Sequence, residues 1–212
     1  IGAYGVEIKD VFHELEALNI DTLETKTFYA SECNFGYRES VFKRELKGKF
    51  IILSMTLRLT KNHTLNTSYG AIEKQLEEMN ISNPTIKDVS DAVIVIRQSK
   101  LPDPKKIGNS GSFFKNPVID RVKFDKLQAK FPTISHYPID ENNVKLAAGW
   151  LIDNAGWKGK RFDNYGVHKN QALVLVNYGG AKGIDIYNLS QQILDSIKEI
   201  YGIELEREVN VI

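Results

Sequence analysis

The chain has 212 residues, 42% of them hydrophobic, enough for one large domain or two small ones with their own cores. Its 28 Lys and Arg against 27 Asp and Glu leave a formal net charge of +1, so the basic surplus of a nucleic-acid binder is missing and any anion site must be built locally. Cys33 is the single cysteine, which excludes an intrachain disulfide framework and a cysteine-rich zinc site; no run approaches a membrane span, and the reading is a cytoplasmic monomer without nucleic-acid or membrane partners.

The chain opens Ile1-Gly2-Ala3-Tyr4-Gly5 with no initiator methionine, and Gly2 and Gly5 resemble ligand-loop residues, so it reads as a fragment. Residues 6–8 and 11–15 have period-2 character, and 23–28 form a further strand across a turn at Asn19-Ile20-Asp21. The clearest predicted strand is 50–59. Ile51, Leu53, Met55, Leu57 and Leu59 face one way, and Ile52, Ser54, Thr56 and Arg58 the other. A helix over 69–79 carries Ile72, Leu76 and Met79; one over 86–98 carries Ile86, Val89, Val93 and Ile96, with Thr85 as N-cap after Pro84. Leu101-Pro102-Asp103-Pro104 then breaks any helix and marks a domain boundary.

The second part begins with a glycine-rich loop at 108–117 and continues through a helix at 121–130, a short strand at 144–146 and a helix at 147–154 ended by Gly156. A buried strand follows at 173–176. The helix at 185–201 places Ile186, Leu189, Ile193, Ile197 and Ile200 on one face, with Gly202 as C-cap, and 203–211 alternate as a final strand. Strands and helices are partly segregated, so the class is α+β.

The run Gly108-Asn109-Ser110-Gly111-Ser112-Phe113-Phe114-Lys115-Asn116-Pro117 is the first candidate for chemistry. Its glycines let the backbone approach a ligand, Ser112 follows Gly111 with its hydroxyl available, and Phe113 and Phe114 anchor the run in a core. By itself it is equally an interdomain turn, and Ser112 lacks the Gly-x-Ser-x-Gly elbow of a hydrolase nucleophile. Arg38 offers a planar fork for a carboxylate. Tyr69, at a helix start, can reach a phosphate or stack on a base. Arg97 and Lys100 fall one turn apart at a helix end. The polar stretch His168-Lys169-Asn170-Gln171-Ala172 precedes a strand, and Glu206 and Glu208 share one face of the final strand, where two carboxylates can divide acid and base work. Taken singly, each of these is also an ordinary surface feature. The four histidines are scattered outside any metal-binding frame, and neither a dinucleotide fingerprint nor a P-loop is present.

In order, these segments resemble the UDP-N-acetylenolpyruvoylglucosamine reductases (MurB family). The series is Gly2-Ala3-Tyr4-Gly5-Val6-Glu7, Gly36-Tyr37-Arg38-Glu39-Ser40-Val41-Phe42-Lys43, Ser68-Tyr69-Gly70 and Lys100-Leu101-Pro102-Asp103-Pro104. It continues with Gly108 to Pro117, Lys145-Leu146-Ala147-Ala148-Gly149-Trp150-Leu151-Ile152-Asp153, His168-Lys169-Asn170-Gln171-Ala172-Leu173 and Leu205-Glu206-Arg207-Glu208-Val209. The resemblance implies the second lobe of an FAD-binding domain (PCMH/VAO-like, α+β) over 1–101, carrying the tyrosine loop of the type I subclass. An α+β substrate-binding domain over 102–202 and a strand at 203–212 returning toward an N-terminal FAD lobe complete the expected order.

The implied activity is NADPH-dependent reduction of the enolpyruvyl group of UDP-N-acetylenolpyruvoylglucosamine through bound FAD, in peptidoglycan precursor synthesis. The resemblance assigns stabilisation of an enolate to Arg38 and Glu208, and protonation of the carbon to Ser112. A serine hydroxyl is a poor acid and serves only toward a strongly basic, positioned centre. It assigns the UDP-sugar to Tyr69, Lys100, Asn116 and Gln171, and flavin contact to Gly2, Ala3, Tyr4, Gly5, Val6 and Glu7. Arg207 stands where the family usually has proline, and Asn210 where it usually has arginine. The glycine-rich segments that cradle most of FAD in the family are not in this sequence, so the chain alone is expected to hold FAD weakly and to be inactive. The alternatives are another flavoprotein oxidase of the same fold and a non-catalytic UDP-sugar-binding module.

Overall fold

A computed structural model of the chain describes residues 2–211. It forms two compact units, Ile1–Ile96 and Arg97–Ile212. Among the described residues, the paired strands are all antiparallel, in a mixed α and β architecture.

The first unit begins with a hairpin of β1 (Gly2–Ala3) and β2 (Val6–Glu7), in register at Ala3 and Val6. Tyr4 and Gly5 both have positive φ, 54° and 77°, the backbone a two-residue loop needs to match strand twist. β3 (Phe12–Asn19) and β4 (Thr25–Tyr29) are joined by the predicted turn, where Asn19 Oδ1 accepts from the amides of Asp21 and Thr22. The short α1 (Ala30–Cys33) follows, and β5 (Phe50–Leu57) completes a sheet of order β4-β3-β5. Phe12, Leu15, Ala17, Phe28 and Cys33 are its core, with Phe35, Phe42 and Phe50 packed edge-on around them.

β5 is the strand expected from alternation, and both of its faces are largely uncovered. Ile51, Leu53 and Met55 are 56%, 54% and 43% exposed, and Ile52 on the opposite face is 50% exposed. Alternation identifies residues that share a face; it does not supply the layer that covers it. The core is made by β3, β4 and the aromatic turn after α1.

α2 (Ile72–Glu78) and α3 (Ile86–Lys100) pack through Ile72, Leu76, Ala92 and Ile96, with Tyr4 of the hairpin against them. α2 starts at Ile72, later than expected, because Gly70 adopts φ 63°. Thr85 caps α3 reciprocally with Asp88: the Thr85 amide donates to Asp88 Oδ2 at 2.8 Å and the Asp88 amide to Thr85 Oγ1 at 3.3 Å.

The second unit contains β6 (Gly108–Ser112), β7 (Val118–Asp120), α4 (Arg121–Lys130), β8 (His136–Pro138) and β9 (Asn143–Leu146). These are followed by α5 (Ala148–Asn154), β10 (Arg161–Phe162), β11 (Tyr165–Val167), β12 (Val174–Asn177) and α6 (Gly183–Tyr201). The sheets have orders β10-β11-β12-β6 and β7-β9-β8. Their shared core includes Phe114, Phe124, Leu146, Ile152, Leu189 and Ile197. α4 has the predicted bounds and is capped by Asp120, whose Oδ1 accepts from the Lys123 amide at 2.7 Å.

Three expectations change here. Residues 108–112 are a strand rather than a loop, because they pair with β12. On α6, Tyr201 is buried and Ile200 is 44% exposed, so the apolar stripe ends one residue later; Gly202 ends the helix at φ 64° as expected. Residues 203–211 do not form a regular strand, and their one bridge pairs Arg207 with Phe114. Their partner stretch is short: Gly111 leaves the extended conformation on one side, and Pro117 offers no N–H on the other.

Candidate functional site

The first unit holds Arg38, Tyr69 and the Gly2 to Glu7 hairpin, all singled out from sequence. Arg38 sits in a tight turn closed by reciprocal backbone bonds between Gly36 and Glu39. Its φ of 58° turns the side chain back onto the hairpin, where Nη2 donates to the Gly2 carbonyl at 3.1 Å. Glycine at position 2 leaves room for this contact. A Cβ there would lie 2.9 Å from Glu7 Cγ and 3.3 Å from Arg38 Nη1. Gly5 plays the same part toward Tyr69, since its Cβ would lie 3.1 Å from Tyr69 Cδ2 and from Asn66 Nδ2. The Tyr69 ring also meets Tyr4 edge-on at 6.2 Å and remains half exposed. The hairpin therefore seats a guanidinium at one end and a phenol at the other. Its Ala3, Gly5 and Val6 stay at the surface.

In the second unit, Ser112 pairs with Val174 at the end of β6, and the register shifts before Val176 pairs with Asn109. Ser110 and Gly111 thus oppose Leu175 alone, a β-bulge, and Gly111 absorbs it at φ 71°. Asn109 holds the bulge from beneath. Its Oδ1 accepts from the Gly111 amide at 3.1 Å, and its Nδ2 donates to the Ile107 carbonyl at 2.9 Å. Ser112 is left exposed beside Phe113 and Phe114, which are buried. The bulge re-aims one hydroxyl outward while the next two rings anchor the strand.

Glu206 and Glu208 separate chemically. Glu206 forms an ion pair with Lys115 at 2.6 Å, and its carbonyl accepts from the Lys115 amide at 2.9 Å. Lys115 is largely buried, and Glu206 is a counter-ion to it. The amide of Glu208 donates to the Phe113 carbonyl at 2.8 Å, one residue beyond Ser112.

Asn116 and Gln171 line a cleft of about 370 Å³ together with Tyr137, Trp150, Asp153 and Lys158. Asn116 Oδ1 accepts from the Ala148 amide at 2.9 Å, which stands in for a cap on α5 and leaves its NH2 to donate. Gln171 Oε1 accepts from the Leu173 amide at 3.4 Å. The preceding turn is held by His168, whose Nδ1 accepts from the Asn170 amide at 3.4 Å. Burial, reinforced by Lys169, pushes the His168 pKa down. Lys158 pairs with Asp153 at 2.5 Å, and Lys145 stands 5.7 Å over the Tyr137 ring. Sequence reading missed Tyr137 and Lys158 because neither belongs to a local motif; only the packing of β8 and the turn after α5 brings them to Asn116. Lys100 is exposed at the end of α3 and does not line this cleft.

Among the described residues, no group of three or more His, Cys, Asp or Glu is arranged to hold a metal ion, and no helix is long and apolar enough to cross a membrane.

Residues 103–212 match the family model for UDP-N-acetylenolpyruvoylglucosamine reductase, C-terminal domain. A UDP-N-acetylenolpyruvoylglucosamine reductase of Flavobacterium johnsoniae is 60% identical over 213 residues, covering 100% of this chain and 63% of that protein. One from Pseudomonas aeruginosa is 47% identical, covering 100% of this chain and 62% of that protein. The chain thus spans less than two thirds of the length of these relatives. A solved structure of MurB from Thermus caldophilus is similar in fold, with a TM-score of 0.60 at 21% identity, covering 100% of this chain and 56% of that one. With the family model matching more than half of its residues, and with the serine bulge and the carboxamide-lined cleft lying within that match, the chain belongs to the UDP-N-acetylenolpyruvoylglucosamine reductase family.

Proposed function

We propose that this chain is the greater part of an enzyme that reduces the enolpyruvyl group of UDP-N-acetylenolpyruvoylglucosamine, with FAD as cofactor and NADPH as electron source. The observation that carries the reading is the exposed Ser112 on a glycine-stabilised bulge, with the backbone of Glu208 bonded to the next residue. A hydrolase would need a base beside that serine and an elbow around it, whereas a proton donor needs only a hydroxyl held in place.

FAD, reduced by NADPH, supplies the hydride when bound. The residues present fit one edge of a flavin site. Gly2 to Glu7 form a hairpin with Gly2, Ala3 and Gly5 among its residues and an arginine docked on its backbone, and they carry no diphosphate-cradling loop. That composition supports partial contact, so the isolated chain is expected to retain little flavin. Visible flavin absorbance surviving gel filtration of the 212-residue chain would contradict this.

The remaining roles belong to the chain's own side chains. Arg38 offers its guanidinium to the negative charge that grows beside the substrate carboxylate. Ser112 Oγ holds the proton delivered to carbon. Glu208 provides the carboxylate of the same machinery. Asn116 and Gln171 take the polar groups of the nucleotide sugar in the cleft that the Lys158–Asp153 pair also lines, and Tyr69 and Lys100 serve its diphosphate. A cytoplasmic monomer suits this substrate class.

The test uses the complete reading frame that contains this chain. NADPH oxidation is followed with the enolpyruvyl nucleotide sugar in Ser112→Ala. Flavin reduction by NADPH should survive while product formation drops by about 10²–10⁴-fold, the usual weight of a positioned proton donor. Unimpaired turnover would sink the assignment.

A further inference from the structure

The segment after α6 has an inward row and an outward row. Ile203 and Leu205 are buried, and Glu204 and Glu206 are exposed. Continuing the alternation, Arg207 falls in the inward row, an expensive place for a cation unless it is paired. It is paired twice. Its Nε donates to Ser190 Oγ at 2.7 Å, and its Nη2 donates to Gln191 Oε1 at 2.7 Å. The guanidinium also lies 4.4 Å from the centre of the Tyr187 ring. Ser190 is fully buried on the core face of α6, and its own hydroxyl donates to the Tyr187 carbonyl at 2.6 Å. One side chain thus fastens the terminal segment to two successive residues of α6.

The backbone here meets β6 through a single bridge. Arg207 bridges Phe114 in a pair whose two hydrogen bonds belong to its neighbours, Lys115 to Glu206 and Glu208 to Phe113. The amide of Arg207 takes no part in that ladder. The side chain therefore adds a restraint at residue 207 that the two flanking backbone bonds do not supply, and residue 208 follows directly.

We propose that Arg207 is a positioning residue for Glu208: its guanidinium docks the terminal segment on α6 and so fixes the backbone from which Glu208 projects. This rests on the role given to Glu208 above. Loss of Arg207 leaves Ser190 still bonded to Tyr187, so the damage falls on the segment rather than on the helix.

The test is a double-mutant cycle in the complete enzyme with Arg207→Ala, Glu208→Gln and both, joined to hydrogen–deuterium exchange without substrate. In Arg207→Ala the amide of Glu208 should lose protection, while that of Phe113, bonded to the Leu173 carbonyl, keeps it. Substrate turnover should fall roughly ten- to a hundredfold, with NADPH-driven flavin reduction unchanged. In the Glu208→Gln background the same substitution should cost nothing further. Arg207→Lys, which keeps the aliphatic stem but not the fork, should fall between. Unchanged exchange at Glu208, or penalties that multiply, overturns the positioning role. Full turnover in Glu208→Gln overturns the reading of Glu208 itself.

Discussion

The amide of Glu208 donates to the carbonyl of Phe113 at 2.8 Å. This bond ties the terminal segment to β6 one residue beyond Ser112, although the two lie almost a hundred positions apart in sequence. The other side of Phe113 is tied as well, since its amide donates to the Leu173 carbonyl at 2.8 Å. Phe113 is thus a backbone junction joining three stretches that motif reading treats separately: the serine run, the Gln171 turn and the Glu208 segment.

Gly111→Ala should lower stability by about 1–2 kcal/mol, the ordinary cost of a left-handed backbone for a residue with Cβ. A Cβ at Gly111 meets nothing within 4 Å, so crowding contributes no part of this. Turnover should suffer more than stability, because relaxing the bulge re-aims Ser112. Urea denaturation and steady-state kinetics on one preparation separate the two; equal activity to the parent would argue that the bulge is incidental.

Asn116 carries two separable duties. Asn116→Ala removes the acceptor for the Ala148 amide and should cost about 1 kcal/mol, as lost helix caps do. Asn116→Asp keeps the acceptor and should retain that stability, yet it removes a donor and places negative charge in the cleft. Calorimetric titration with UDP should show weaker binding for Asn116→Asp despite its intact fold. Equal destabilisation by both substitutions would refute the capping account.

Gly166→Ala is expected to be the harshest small substitution in the second unit. A Cβ there would overlap the Lys160 carbonyl oxygen and come within 2.9 Å of Arg161 Cα, backbone atoms of the chain entering and forming β10. Neither can swing aside as a side chain would, so a loss of about 3 kcal/mol is expected. A thermal midpoint within experimental error of the parent would show that β10 shifts freely.

His168 predicts a pH dependence. Its folded pKa is depressed by burial, so the unfolded chain takes up a proton near 6.5 that the folded protein refuses. Stability from the neutral ring is complete above that value and is lost as pH falls through it toward the folded pKa. Glu32, Asp88 and Asp140, held low by hydrogen bonds from Tyr29, Thr85 and Asn143, titrate below this window. The urea midpoint should decline between about pH 7.5 and about pH 5.5, and decline less in His168→Gln. Parallel profiles would place the titration elsewhere.

Some of this molecule was legible before any coordinates. α4, the Thr85 cap and the Gly202 stop follow from local chemistry, because a helix satisfies its backbone within a few residues and announces its ends by side chain. The serine run and the Lys145 to Asp153 segment identified the family, which the match over 103–212 bears out. Tertiary structure decided what depends on distant partners. Residues 108–112 are a strand because β12 pairs with them; that both faces of β5 lie largely uncovered is something its alternation could not say. Glu206 and Glu208 look equivalent in the sequence, two residues apart on one face. Tertiary structure brings Lys115 to the Glu206 carboxylate and the Phe113 carbonyl to the Glu208 amide, and neither partner is near them along the chain.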